Sequence, residues 1–350
     1  MVEKNLKFYR LRSRLTKKEL ALRVGVSPMA ITHYENGDRK PDIDMLHKLA
    51  EALGVRIADF LAVRSGQHQY VHCEYRRNNA LSKNDREMVC ESVEEYFDRF
   101  FQVVDVLGGE VLPAYPETRC VKTSRNAEQA AGLLRTHLGF AEEGPIPNLI
   151  GAMENKGIPL YLCEMDNAHF SGMNGTIDGR PYIVLNTCMT PERQRSTLVH
   201  ELAHIFCLFP DDMDEDEAES FATAISGAFL CPAKDLLREL GPRRTHITSD
   251  MDMVAQEYGV SMLLLIKRAN ILGIINDSLY KQFMIEASKR GWRKHEPSRI
   301  AAETASLFEM LTIRAVSEDE ISQQRGAELL GVSYDDFDSM LHAREDQCNT

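Results

Sequence analysis

The chain has 350 residues, 43% hydrophobic and 27% charged, and its 53 acidic against 41 basic side chains leave a formal net charge of -12. This is a globular composition long enough for two or three domains. No apolar run approaches the roughly eighteen residues of a membrane span, and the start Met-Val-Glu-Lys-Asn-Leu-Lys lacks the apolar core of a signal peptide, so a cytoplasmic protein with no membrane partner is expected.

The acidic average hides an asymmetry. Residues 1–64 hold thirteen Lys/Arg and eight Asp/Glu, a net +5, so the other 286 residues carry -17. Thr16-Lys17-Lys18-Glu19 has the spacing of a capping box and opens a helix with Leu20, Ala21 and Val24 on one face. Gly25-Val26 breaks that helix, Ser27 caps the next, and Pro28 takes its first position, where a missing N–H costs nothing. Asn36-Gly37 ends it, and Asp42–Leu53 and Arg56–Leu61 are further amphipathic segments. Two short helices joined by a Gly-containing turn, within a basic five-helix unit, predict a helix-turn-helix domain; the competing reading is a helical protein-interaction module.

From Thr16 to Gly37 the order T-x-x-E-L-A-x-x-x-G-V-S-x-x-x-I-x-x-x-E-x-G resembles the Cro/phage-repressor type of helix-turn-helix domain, and the resemblance covers nearly all of residues 1–62. It implies a partner, double-stranded operator DNA, bound as a homodimer with the second helix in the major groove. Ser27, Met29, Thr32 and His33 then face base edges or adjacent backbone, with Arg39 and Lys40 on phosphates. Lys17 stands where that family usually has Gln, and suits a phosphate contact. Gly-Val-Ser recurs at 259–261 and 331–333. The apolar run after Ser261 asks for burial, and Asp335, Asp336 and Asp338 would be repelled by phosphates, so both later copies are expected to be packing units.

In the middle of the chain, residues 84–107 and 124–138 read as helices, as does Pro145–Asn155, which Lys156-Gly157 ends. Ile158–Cys163 reads as a strand, and Thr176–Asn186 as a hairpin turning at Asp178-Gly179. The eight cysteines are scattered with no C-x-x-C pair, which points to reduced packing residues rather than a disulfide framework.

His200-Glu201-Leu202-Ala203-His204 is an H-E-x-x-H sequence on an expected helix. Its i and i+4 imidazoles share one face at the spacing that holds a zinc ion, and Glu201 can act as general base on a water there. Leu198, Val199, Leu202, Ala203, Ile205 and Phe206 would bury this helix nearly all round, so its polar side chains require a purpose. A catalytic zinc needs a third protein ligand. Glu217, one turn before Phe221 on the inward face of the following helix, is the expected one; Glu215 and Glu219 are expected to point elsewhere, and Cys207 is a rival. The sequence names no oxyanion donor: Tyr182 and His169 are only nearby candidates, and residues of these types are more often structural.

The run R-x-R-x-T-L-x-H-E-L-A-H, then E-A-x-x-F-A and Leu230-Cys231-Pro232, resembles the ImmA/IrrE family of metallopeptidases, with Gly144–Ile150, Leu272–Ile275 and Gly291-Trp292-Arg293 extending the likeness. The resemblance implies a zincin-like domain that acts on transcriptional repressors in stress responses, with Glu219 a departure where the family commonly has Asn. The expected fold class is therefore multidomain and mostly α. It comprises a helix-turn-helix domain at 1–64, a helical linker at 65–120, an α+β zincin-like domain at 121–291 and a helical accessory region at 292–350. The expected activity is that of a DNA-binding regulator with a zinc (Zn2+) endopeptidase domain whose protein substrate is a repressor. The alternative is a repressor or antitoxin-like protein whose metal domain senses or binds without hydrolysis.

Overall fold

A computed structural model describes residues 2–61, 68–72 and 81–348, with backbone alone for 343–348; the expected boundary at 64/65 and Cys73 lie outside the described residues. The chain forms two compact units, Met1–Val111 with Leu311–Thr350, and Leu112–Met310.

The first unit opens with five helices, α1 (Val2–Arg12), α2 (Lys17–Val24), α3 (Pro28–Asn36), α4 (Ile43–Leu53) and α5 (Ile57–Leu61). The Thr16/Glu19 capping box forms, Gly25 closes α2 in the left-handed conformation, and Ser27 caps α3. Leu20, Ala21 and Val24 join Leu6, Ile31, Leu49 and Phe60 in one apolar core. That core encloses an ion pair: the Arg10 guanidinium donates to Glu35 through Nε, and through Nη2 at 3.1 Å, while its Nη1 donates to the Leu15 carbonyl at 2.8 Å. The strand β1 (Tyr70–His72) and the long helix α6 (Lys83–Val106) follow, and Lys7 of α1 reaches Glu87 and Glu91 of α6 at 2.8 Å each.

The second unit begins with β2 (Val121–Lys122), α7 (Ala127–His137) and α8 (Leu149–Glu154), followed by β3 (Leu160–Cys163), β4 (Gly172–Ile177) and β5 (Arg180–Asn186). β4 and β5 form the expected antiparallel hairpin, and β3 adds to the other side of β5 in parallel register. Next come α9 (Pro191–Phe206), β6 (Cys207–Leu208), which pairs in parallel with β2, and α10 (Glu215–Leu230). The helices α11 (Ala233–Leu240), α12 (Ser249–Tyr258), α13 (Met262–Ile271) and α14 (Asp277–Lys289) complete its helical part.

An extended segment at 296–306 is tied to this unit by carboxylates. Glu296 accepts from the Met262 and Leu263 amides at 2.7 and 3.2 Å, Glu192 from Arg299 N at 2.6 Å, and Glu154 from Ser306 N at 2.9 Å. The last helices are α15 (Leu307–Ser317), α16 (Gln323–Leu330) and α17 (Tyr334–Cys348).

These units correct the expected divisions. Residues 65–120 are not one linker, because α6 packs into the first unit, and 292–350 is not one accessory region. Its first part is bonded into the second unit, whereas in the first unit Arg99 of α6 donates to the Leu329 carbonyl of α16 at 2.5 Å.

The three Gly-Val-Ser copies share one backbone corner. Gly25, Gly259 and Gly331 end their helices at φ 73°, 62° and 71°, and Ser27, Ser261 and Ser333 then accept from the amide three residues on. As expected, the sequence after Ser261 is buried: Met262, Leu265 and Ile266 lie in the core of the second unit.

Candidate metal centre

The H-E-x-x-H sequence lies on α9, which begins with Pro191 at its first turn and buries Leu198, Val199, Leu202, Ala203, Ile205 and Phe206. The helix lies against β4 and β5 on one side and α10 on the other. Its approach to the sheet depends on Gly172: a Cβ there would stand 2.6 Å from the Val184 carbonyl oxygen and 2.7 Å from Thr197 Cγ2.

His200 and His204 project from one face with their Nε2 atoms 3.2 Å apart. Glu219 of α10 completes the group, Oε2 at 3.3 Å from His200 Nε2 and Oε1 at 3.2 Å from His204 Nε2. Among the described residues these three form the group of His, Cys, Asp and Glu side chains able to hold a metal ion. The donor set fits zinc, because ligands about 2.0–2.1 Å from a tetrahedral ion stand about 3.3 Å from one another. Hydrogen bonds from His200 and then His204 hold the Glu219 carboxyl far below the usual range. At His204 burial opposes the charged form, but the Glu219 hydrogen bond and the charges of Glu201 and Glu219 outweigh it, and its pKa is raised. The three side chains are thus arranged so that they could hold a cation, with one anionic donor.

Two further polar contacts hold this arrangement. Asn174 of β4, itself 7% exposed, donates its amide N–H to Glu201 Oε2 at 2.7 Å. Thr223 of α10 brings its hydroxyl to 3.3 Å from His200 Nδ1. Beside His204 the Phe209 ring lies 5.6 Å away and packs edge-on against Phe221, giving the site an apolar wall.

The expected third ligand is corrected. Glu217 does not face the histidines: it accepts from the Asp214 amide at 3.3 Å in the capping box that starts α10, and pairs with Arg125 at 3.5 Å. The physical reason is its place at the third helical position, where the carboxylate satisfies an otherwise unpaired N–H. Glu219, two residues on, is turned by 200° toward α9. The signal was present in the sequence as Asp214-x-x-Glu217, whereas Asn174 and Thr223 had none. Cys207 ends α9 and is buried in β6, where burial pushes its thiol up to about 12. Tyr182 is fully buried in β5, and His169 is exposed in the loop before β4.

In the first unit, α3 presents an exposed Met29, 62% accessible, and Arg39 and Lys40 are exposed just beyond its end. Other expected contacts already have partners. Ser27 caps α3, Thr32 donates to the Pro28 carbonyl at 3.1 Å, His33 lies 3.1 Å from Asp38, and Lys17 pairs with Glu35 at 3.4 Å.

Comparison with known proteins matches two parts of the chain. A helix-turn-helix family model covers residues 6–60, and the model of the IrrE N-terminal-like domain covers residues 153–270. The "Uncharacterized HTH-type transcriptional regulator MJ0272" of Methanocaldococcus jannaschii is 36% identical over 58 residues, 17% of this chain and 88% of that protein. Among solved structures, Bacillus thuringiensis PlcR in complex with the peptide PapR7 and DNA aligns over 99% of this chain and 98% of its own at 13% identity. Its TM-score of 0.18 is too low to mean a shared fold.

Proposed function

The chain belongs to the helix-turn-helix family and joins to that domain an IrrE N-terminal-like domain, and from this premise we propose a DNA-binding transcriptional regulator whose second unit is a zinc-dependent endopeptidase. The observation that carries the enzymatic reading is the set of three donor side chains that approach one another to 3.2–3.3 Å, with Glu201 adjacent in sequence to the first of them. His200, His204 and Glu219 would hold the ion. When bound, zinc supplies Lewis acidity toward a peptide carbonyl and toward water.

The chain's own residues supply the remainder. Glu201 accepts a proton from the attacking water and returns it to the leaving amine. Asn174 bonds one carboxylate oxygen and so leaves the other as the base. Phe209 and Phe221 keep the His204 side of the site apolar, which favours a substrate side chain without charge. The substrate is a transcriptional repressor, cut in response to a signal while the first unit holds the chain on DNA.

Glu201→Gln is expected to keep one zinc per chain and to lower cleavage of the partner repressor by roughly 10²–10⁴-fold, the share that general acid–base catalysis supplies. Zinc content by mass spectrometry and cleavage on a gel are the measurements; undiminished cleavage would leave a metal-binding regulator without peptidase action.

For the DNA unit, two copies on a two-fold operator are the expected complex. Exposed Lys40 is the clearest phosphate contact, since Lys17 is paired with Glu35. Lys40→Ala is expected to weaken binding about equally on all sequences and to reduce the slope of log affinity against log salt by about one. A gel shift at several salt concentrations reads both, and an unchanged slope places Lys40 away from the phosphates.

A further inference from the structure

The Thr223 hydroxyl lies between two groups of the candidate metal centre, 3.0 Å from the Glu219 carbonyl oxygen and 3.3 Å from His200 Nδ1. A hydroxyl has one proton to donate and lone pairs to accept with. The carbonyl can only accept, so the proton goes to Glu219 O, and the lone pair facing His200 is left to accept from an Nδ1–H. Without a metal the Nε2 proton of His200 is shared with Glu219; a metal ion would displace that proton, and an imidazole that keeps its other proton on Nδ1 then offers the Nε2 lone pair. That Nε2 is the atom 3.3 Å from Glu219 and 3.2 Å from His204 Nε2. The same hydroxyl is bonded to the backbone of Glu219 one turn earlier, so it spans two members of the donor set from one position on α10. α9 and α10 are also joined one turn further along, where Ser226 donates to the Ser196 carbonyl at 2.8 Å.

We propose that Thr223 is a positioning residue of this centre: it fixes His200 as the Nδ1-protonated tautomer and presents Nε2 as the metal donor, an inference that rests on the zinc reading above. Partners of this kind, bonded to the non-ligating nitrogen of a histidine, typically contribute 10–100-fold to metal affinity. Thr223 is exposed, so water replaces a lost hydroxyl in part, which sets the expected effect at the lower end.

The test is zinc affinity of the full chain, measured by competition with a chromophoric chelator. Thr223→Val, which keeps the shape and removes the hydroxyl, is expected to weaken zinc about tenfold. Thr223→Ser, which keeps the hydroxyl, is expected to hold affinity within about twofold of the parent. Thermal unfolding of the metal-stripped proteins serves as the control, and all three are expected to melt together because the side chain is on the surface. Parent-like zinc affinity in Thr223→Val, or equal weakening in Val and Ser, overturns the positioning role while leaving the metal centre standing. A parent chain that takes up no zinc overturns the metal reading itself, and this inference with it.

Discussion

Glu35→Ala is expected to cost the first unit about 3–5 kcal/mol, because removing one partner of a buried ion pair leaves the other charge uncompensated. The Glu35 side chain is 1% exposed and that of Arg10 3%, and both lie in the apolar core where α1 meets α3. Alanine would leave the Arg10 Nε and Nη2 hydrogens with no acceptor, and only the Leu15 carbonyl would remain to Nη1. Set against a total stability of roughly 5–15 kcal/mol for a domain, this is a large fraction. Denaturant unfolding followed by circular dichroism should show the transition of the first unit moving sharply to lower denaturant, with operator binding lost and zinc content unchanged. Replacing both partners with Arg10→Met and Glu35→Leu should restore most of the loss, since no buried charge then remains. An unshifted transition in Glu35→Ala would mean that Arg10 finds another acceptor or solvent.

Glu219→Gln and Glu217→Gln are expected to part company. The first removes the anionic donor and should weaken zinc by more than about 100-fold, the upper end of what a mere outer-shell partner contributes. The second keeps zinc and instead disturbs the start of α10, where Glu217 closes a capping box and pairs with Arg125; about 0.5–2 kcal/mol is the scale of a lost cap. Chelator competition and thermal unfolding read the two effects independently. Zinc lost from Glu217→Gln and retained in Glu219→Gln would return the third ligand to the residue first expected from the sequence.

That pair of glutamates shows where sequence stops informing. The corners of the helix-turn-helix domain were legible because their causes are local: a threonine and a glutamate three residues apart, a glycine free to turn left-handed, a serine and a proline to start again. The two histidines were legible because one helical turn fixes their relation whatever surrounds them. Which carboxylate joins the two histidines depends on how α10 is rotated about its axis when it packs on α9, and that angle is a tertiary fact. The capping box at Asp214 was a local clue to the same end, since a side chain bonded back to its own helix start is not free to reach a neighbour. Asn174 lies 27 residues from Glu201 along the chain and Thr223 lies 23 residues from His200, and no spacing rule joins them. The return of residues 311–350 to the first unit was equally silent, because long-range packing leaves no periodic trace.

The carboxylate of Glu296 sits on the first two amides of α13, immediately after the second Gly-Val-Ser corner. The amino end of a helix draws an anion. At α13 the chain satisfies that attraction from its own sequence, thirty-four residues later. At α17 the acidic side chains Asp335 and Asp336 stand in the first turn. One backbone corner thus leads into three surroundings: an exposed Met29 at α3, a buried apolar run with a seated carboxylate at α13, and an acidic first turn at α17. A search for DNA readers by backbone shape would return all three corners, and the Glu296 carboxylate already seated on α13 marks that socket as filled.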